Sequence, residues 1–241
     1  MKTFYIIFLL ISSTLFFNNE PKKANIRLNQ IQVIGSHNSY KIRIEEPLMN
    51  YLINLNPSLS GLEYENISLT EQLNLGLRSL ELDVFNDPEG GYYSNPTGLD
   101  IVRASGNTPI AFDEEEKLKV PGLKVFHIQE IDFRSHQLLF NDALSELNEW
   151  SNIHSNHTPI IITINTKDGK VLQTRDPLVF DEDALKNLDD EIKAVFPNEK
   201  LITPDLVRGS RSSLEEAVLK DGWPKLEDVK GRFLFVLDEG D

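Results

Sequence analysis

Short apolar runs alternate with helical patterns along most of this chain, and this alternation limits the possible folds more than any other feature. The strand-like runs read IQVIG, LELDV, LKVFHI, PIIITI, KLIT and GRFLFVLD, and they begin near residues 31, 79, 123, 159, 200 and 231. Helical spacing lies between them, as in SLTEQLNLG, where Ser68 and Glu71 form a predicted capping box. Strands that alternate with helices predict an α/β fold with a parallel sheet.

Two α/β architectures are compatible with this pattern. A (β/α)8 barrel has eight strands and about 250 residues, whereas this chain of 241 residues stops directly after the last strand-like run. We therefore expect a TIM-like (β/α)8 barrel that is truncated after about six strands. A complete doubly wound sheet is the alternative. Residues 86–120 show no clear helix and are expected to form a long loop or an inserted hairpin.

The N-terminal segment differs in character from the rest of the chain. After Lys2 comes FYIIFLLISSTLFF, which is typical of a secretory signal peptide and is short for a spanning helix of about 20 apolar residues. We expect residues 1–22 to be a signal peptide, residues 23–241 to form one barrel domain, and the protein to be secreted or periplasmic. An uncleaved N-terminal membrane anchor is the alternative.

The composition removes several classes of function. The chain has no cysteine, which excludes disulfides, thiolate metal sites and cysteine nucleophiles. Its formal net charge of -14 argues against nucleic-acid binding, which needs Lys and Arg to neutralise phosphates. The same charge argues against docking on an anionic membrane through bulk charge alone. An anionic substrate would need a local positive centre, either basic side chains or a metal ion.

Polar side chains stand at the ends of four of the predicted strands. In parallel α/β folds the functional site forms at the carboxyl ends of the strands, so these side chains are expected to share one rim. The candidates in chain order are His37 and Asn38, Glu81 and Asp83, His127, and Asn165 with Lys167.

The pair of acids in ELDVF points to a metal ion. Glu81 and Asp83 are two residues apart, so on a strand they face the same side. Two carboxylates on the inner face of a barrel are costly unless a cation accompanies them. Ca²⁺ fits best because it accepts carboxylate and amide oxygens in a loose geometry, and Asn38 could add an amide oxygen. The alternative is an edge strand whose acids lie in water.

Two of the histidines stand on predicted strands. With an unperturbed pKa near 6.5, His37 and His127 can divide general base and general acid work at neutral pH. Two imidazoles beside a metal ion suit the cleavage of a phosphodiester. Lys167 and, with less support, Arg134 are candidates for binding a phosphate, although Lys167 could be an ordinary turn residue and Arg134 could pair with Asp132.

Several motifs together resemble the phosphatidylinositol-specific phospholipase C superfamily, and most closely its bacterial, calcium-dependent branch. They are GSHNSY, SLTEQLNLGLRSLELDVF, GGYYSNPTG, KVFHIQEIDFRS and HTPIIITINTKD, followed by LITPDLVRG and GWPKLEDVKGRFLFVLD. The resemblance extends in order over about residues 30–241, which makes it more specific than any single motif.

The resemblance implies a fold, a reaction and a division of roles. It implies a TIM-like catalytic barrel that acts on a phospholipid at a membrane surface, as a monomer. The head-group 2-hydroxyl would attack phosphorus, which gives a cyclic inositol phosphate and releases diacylglycerol. His37 would help to activate that hydroxyl, and His127 would protonate the leaving glycerol oxygen. The Ca²⁺ ligands would be Asn38, Glu81, Asp83 and, more weakly, Asn165.

Two departures and two competing functions accompany this interpretation. Asn165 stands where eukaryotic relatives carry a metal-ligating Glu, which predicts weaker Ca²⁺ binding. The chain also stops before the last strands, where the family places part of its inositol pocket. Glycerophosphodiester phosphodiesterases are the nearest rival enzymes, but in them Arg usually follows the first histidine, whereas Asn38 follows His37 here. A secreted barrel without catalytic activity is the other alternative.

Overall fold

The computed structural model describes residues 25–172 and 174–238. The predicted signal peptide, residues 1–22, lies outside the described residues. No helix within the described ranges is long and apolar enough to cross a membrane.

The described part of the chain contains α-helices and one sheet. The helices are α1 (Glu46–Leu55), α2 (Leu69–Asn74), α3 (Thr97–Ala104), α4 (Phe140–Ile153), α5 (Glu182–Val195), α6 (Pro204–Arg208) and α7 (Leu214–Lys220). The predicted capping box is present at the start of α2, where Ser68 Oγ accepts a hydrogen bond from the Glu71 backbone N–H and the Glu71 side chain accepts one from the Ser68 N–H. Asp181 caps α5 in a similar way, through the Ala184 N–H.

The described sheet has four strands in the order β2-β1-β3-β4. They are β1 (Ser79–Phe85), β2 (Lys124–Val125), β3 (Ile160–Thr166) and β4 (Phe233–Leu237). The β1–β3 and β3–β4 pairs are parallel, as predicted for an α/β fold. Two further predicted strands contribute only single parallel bridges, Gly35 to Ser79 for IQVIG and Leu201 to Phe233 for KLIT.

The segment between β1 and β2 differs from the sequence-based expectation. LKVFHI was expected to run parallel to its neighbours, but β2 pairs antiparallel with β1, with Val84 opposite Val125. The chain returns along the free side of β1, so β1 pairs directly with β3 on its other side. Residues 86–120 also contain a helix, α3, whose buried Val102 packs in an apolar cluster with Leu48 and Leu52 of α1. Tertiary packing stabilises this short helix, which sequence periodicity alone did not indicate.

The main apolar core covers one face of the sheet. Leu80, Leu82 and Val84 of β1 alternate with residues of the opposite face and pack with the buried isoleucines of β3 and the apolar face of α4. This packing fixes which face each strand residue occupies, since a slip of one residue would move every core side chain to the other side. The remaining residues of β1 and β3 are therefore directed to the opposite face, where the candidate site lies.

Candidate active site

β1 places two carboxylates on the face opposite the apolar core. The Asp83 side chain is 1% exposed and the Glu81 side chain is 16% exposed. Because β1 lies between β2 and β3, it is not an edge strand, and its acids do not lie in open water. The alternative reading of ELDVF as an exposed edge strand is therefore wrong.

The parallel ladder extends this polar row across three strands. Asn165 of β3 lies directly opposite Asp83, and Thr163 lies opposite Glu81. On the other side of β3, Leu237 of β4 pairs with Ile164. Asp238 follows Leu237, and its N–H donates to the Ile164 carbonyl at 2.7 Å. A cavity of about 580 Å³ opens on this face and is lined by Gly35, Ser36, His37, Ser79, Leu80, Glu81, Thr163, Asn165 and Asp238.

A tight turn holds His37 and Asn38 against β1. The Asn38 N–H donates to Glu81 Oε2 at 3.2 Å, and the Ser39 N–H donates to the Glu81 carbonyl at 3.1 Å. Asn38 has a φ of 48°, in the left-handed region that Asn tolerates better than most residues. The turn leaves the His37 side chain 72% exposed, with Nε2 at 3.7 Å from Glu81 Oε2. His37 is therefore accessible from solvent and lies beside a carboxylate.

Two tyrosines that sequence reasoning missed orient the Asn38 amide. Asn38 Nδ2 donates to the Tyr64 hydroxyl at 2.6 Å, and the Tyr40 hydroxyl donates to Asn38 Oδ1 at 3.1 Å. The Tyr64 hydroxyl also lies 3.4 Å from His37 Nδ1. Burial raises the pKa of Tyr40 well above its ordinary value, and the negative charge of Asp83 adds to this effect. The Tyr40 phenol therefore stays neutral and remains a hydrogen-bond donor.

His127 is held by a buried charge pair. Its Nδ1 lies 2.7 Å from Asp132 Oδ2, and Asp132 Oδ1 lies 2.9 Å from Lys41 Nζ. The side chains of Lys41 and Asp132 are both 0% exposed, whereas the His127 side chain is 19% exposed. Because a carboxylate can only accept, this contact requires the proton of neutral His127 to sit on Nδ1, which leaves Nε2 as the free nitrogen.

A strained turn brings Asp132 back to His127. Glu130 has a φ of 77°, and the Asp132 N–H donates to the Ile128 carbonyl at 2.9 Å. The unusual backbone at Glu130 is supported by hydrogen bonds from the backbone and side chain of Thr97 to Glu130 Oε2 and by Arg175 at 2.9 Å from Oε1. Neither Asp132 nor Lys41 was singled out as a site residue from the sequence, because their proximity depends on this turn.

Lys167 pairs with Asp83. Its Nζ lies 3.1 Å from Asp83 Oδ2, and its backbone N–H donates to the Val84 carbonyl at 2.9 Å. Burial raises the pKa of Asp83, and the positive charge of Lys167 opposes that shift. Both carboxylate oxygens of Asp83 are buried without a well-aligned hydrogen bond among the described residues, and the Tyr40 hydroxyl, like Lys167, lies near enough to lower the pKa of Asp83.

The donor set around Asp83 fits a Ca²⁺ ion. The buried oxygens of Asp83 are acceptors without a well-aligned hydrogen bond among the described residues, and Glu81, Asn165 and Asn38 lie on the same face or in the adjoining turn. These are carboxylate and amide oxygens, which Ca²⁺ prefers. Within residues 25–172 and 174–238, no group of three or more His, Cys, Asp or Glu side chains is arranged to hold a metal ion. A Ca²⁺ site here would therefore depend on amide oxygens and water in addition to the two β1 acids.

Arg134 lies in a different set of contacts. Its guanidinium donates to Glu45 Oε1 at 2.7 Å and to the carbonyls of Ile110 and Ala111. Asp132, the alternative partner that the sequence suggested, pairs with Lys41 and His127 instead. The Arg134 side chain is 10% exposed and joins Glu45, directly before α1, to the segment after α3, so its contacts give the weak prediction of substrate binding no support.

Comparison with known families gives a match over most of the chain. A family model described as phosphoinositide phospholipase C, Ca²⁺-dependent, matches residues 26–241, which is most of the chain. The chain belongs to the Ca²⁺-dependent phosphoinositide phospholipase C family. The resemblance inferred from the motifs is thereby confirmed. A comparison with the sequences of curated proteins finds no match.

Solved structures show the same fold at low sequence identity. A calcium-dependent phosphoinositol-specific phospholipase C from a Gram-negative Pseudomonas species aligns with a TM-score of 0.53 at 18% identity, covering 91% of this chain and 60% of that chain. A myo-inositol complex of the same Pseudomonas enzyme aligns with a TM-score of 0.52 at 18% identity, covering 88% of this chain and 58% of that one. The chain thus spans about 60% of the length of the enzyme it matches. These matches confirm the α/β barrel type of fold.

Proposed function

We propose that this protein is a phosphodiesterase that cleaves phosphatidylinositol-type phospholipid into diacylglycerol and a cyclic inositol phosphate. The observation that carries the proposal is the position of two differently held imidazoles beside the two acids of β1, Glu81 and Asp83. His37 is exposed beside Glu81 on the neighbouring turn of the site, and His127 is fixed by Asp132. His127 also lies close enough to Asp83 for its charge to affect the pKa of that carboxyl.

His37 has the environment of a general base. Its exposed ring is open to a substrate hydroxyl, and Glu81 Oε2 at 3.7 Å stabilises the imidazolium that forms when the ring takes the proton. The inositol 2-hydroxyl, once deprotonated, forms a bond to phosphorus. The bond between phosphorus and the glycerol oxygen then breaks, so the phosphate becomes a cyclic diester.

His127 has the environment of a general acid. With Asp132 on Nδ1, its Nε2 is the nitrogen that gives a proton to the glycerol oxygen as that oxygen leaves. Before that transfer the ring is cationic, and the Asp132 carboxylate stabilises the charge. Lys41 in turn balances Asp132, so the three groups together carry one net positive charge in the acid form.

The remaining polar residues would hold the cation and the phosphate. Glu81 and Asp83, with the amides of Asn38 and Asn165, are the residues that would ligate Ca²⁺, and bound there it would offset negative charge on the phosphate oxygens. Lys167 is a second source of positive charge at the same place, as a phosphate-binding residue. The overall charge of -14 makes this local positive charge necessary for an anionic substrate.

We also propose that the protein is exported from the cytoplasm. Residues 1–22 have the composition of a signal peptide, and a secreted or periplasmic protein would meet phospholipid at a membrane surface as a monomer. Sequencing the N-terminus of the protein recovered from the medium or periplasm tests the export: an N-terminus still at Met1 in a membrane fraction would favour the anchor instead.

Product analysis tests the reaction. The chain is incubated with vesicles of phosphatidylinositol or phosphatidylcholine, and separately with glycerophosphoinositol, each with Ca²⁺ or with EGTA, and products are followed by ³¹P NMR. A cyclic inositol phosphate that forms from phosphatidylinositol only with Ca²⁺ supports the proposal. Glycerol phosphate as the product would identify a glycerophosphodiester phosphodiesterase, and no turnover of any substrate by folded protein would favour the non-catalytic barrel.

A further inference from the structure

Lys167 occupies the place of a cation beside Asp83. Its backbone is fixed to β1 by the hydrogen bond to the Val84 carbonyl, and its ammonium reaches back to Asp83 Oδ2 at 3.1 Å. The Asp83 side chain is 1% exposed, so it has little water to stabilise its charge, whereas the Lys167 side chain is 26% exposed and has a path to solvent. Asp83 is therefore a buried anion that needs a cation, and Lys167 is a cation that can move away from it.

A calcium ion and this ammonium cannot bind Asp83 together at full strength. Ca²⁺ ligands lie at 2.3–2.6 Å from the ion, and Lys167 Nζ lies 3.1 Å from one oxygen of the same carboxylate. On one shared oxygen the two cations would lie within about 6 Å of each other, and on the two oxygens of one carboxylate they would still be close neighbours in a partly buried site, where like charges repel. This repulsion weakens the binding of each cation while the other is present, so Ca²⁺ binding favours a displaced Lys167.

We propose that Lys167 is a built-in competitor of Ca²⁺: it neutralises Asp83 while the metal is absent and is displaced when Ca²⁺ binds. The inference rests on the Ca²⁺ site of the proposed function and adds a determinant of its affinity. The Lys167 side chain is 26% exposed, so the displaced ammonium moves toward solvent, where it can contact an anionic ligand. Calcium binding and the release of a phosphate-binding lysine are thereby coupled.

The same loop offers a matched control. Lys170 lies three residues further along and pairs with Asp176 at 2.9 Å, but its side chain is 50% exposed and that of Asp176 is 74% exposed. Lys167→Met and Lys170→Met remove the same charge from the same loop. Only the first removes the partner of a buried acid, so the difference between the two variants isolates the competition from the general effect of net charge.

Isothermal titration calorimetry of the full chain with Ca²⁺ at one fixed pH measures the effect. We expect Lys167→Met to bind Ca²⁺ about tenfold more tightly than the wild type, which corresponds to about 1.4 kcal/mol, and Lys170→Met to stay within about twofold of it. Equal affinities in the two variants, weaker binding by Lys167→Met, or no Ca²⁺ binding by any of the proteins would each overturn the inference. Thermal melts in chelator check that both variants are folded.

A measurement on the wild-type chain keeps the test independent of variant folding. Lysines reductively methylated with ¹³C retain their charge and give separate NMR signals, and the two variants assign those of Lys167 and Lys170. A Ca²⁺ titration should shift the Lys167 signal and leave the Lys170 signal in place; an unmoved Lys167 signal at saturating Ca²⁺ contradicts displacement. If calcium-dependent lipid cleavage holds but this difference does not, the inference alone fails. If the difference holds without lipid cleavage, the proposed function fails alone.

Discussion

Replacing Asp132 with Asn tests whether the buried pair with Lys41 positions His127. Lys41 Nζ and Asp132 Oδ1 are 2.9 Å apart, and both side chains are 0% exposed. Removing one partner of a buried ion pair leaves an uncompensated charge and costs about 3–5 kcal/mol. We expect Asp132→Asn to lower the free energy of unfolding by about 3 kcal/mol, at the lower end because the Asn amide still presents a polar oxygen to the Lys41 ammonium.

The same change also removes the acceptor for His127. An Asn amide has one donor and one acceptor group, so it no longer holds both Lys41 and the Nδ1–H of His127 as a carboxylate does. With the ring free to change tautomer, we expect phosphodiester cleavage to fall by about 10²–10⁴-fold, the usual contribution of a positioned acid or base. Urea unfolding gives the stability, and initial rates at saturating substrate give the activity.

A double variant separates the two effects. Lys41→Met with Asp132→Asn leaves no buried ammonium, so it should regain about 2 kcal/mol of the stability lost by Asp132→Asn alone. Its activity should stay low, because His127 still lacks the carboxylate. If the double variant regains wild-type activity, or if Asp132→Asn unfolds within about 1 kcal/mol of the wild type, the argument for a positioning pair is refuted.

Three further predictions follow from the site and the core. His37→Ala and His127→Ala should each reduce cleavage by about 10²–10⁴-fold with unchanged circular dichroism, and near wild-type rates in both would contradict the acid–base assignment. Asp238→Asn should weaken Ca²⁺ binding in calorimetry, because Asp238 lines the same cavity as Asn165, and unchanged affinity would exclude it from the cation's surroundings. Burial lowers the pKa of His157 in the folded state. As the pH falls, the unfolded state therefore binds a proton at His157 before the folded state does, so this contribution to the free energy of unfolding is complete above about pH 6.5 and decreases below it. Urea unfolding between pH 7.5 and 5 should show a smaller loss for His157→Gln, and an equal loss would contradict this reading.

The sequence by itself determined the candidates that follow from strand register. Glu81 and Asp83 share a face because side chains alternate along a strand, and Asn165 lies at the same rim because parallel strands align their carboxyl ends. His37 and Asn38 lie at the same end for the same reason. These are consequences of local periodicity and of the fold class, both of which can be read from apolar spacing. That Asn165 lies directly opposite Asp83 depends on the unexpected antiparallel course of β2, which leaves β1 to pair with β3.

Only the tertiary structure decided how those residues are supported. The antiparallel course of β2 and the left-handed turn at Glu130 bring Asp132 to His127, and the buried contact of Lys41 with Asp132 joins segments about ninety positions apart in the chain. The contacts of the Tyr64 hydroxyl with His37 and Asn38 likewise have no pattern in the sequence that would predict them. The pairing of Lys167 with Asp83 depends on the register of β3 beside β1, since the Lys167 N–H continues that ladder to the Val84 carbonyl. Such contacts depend on turn geometry and on the burial of charge, and neither has a period in the sequence.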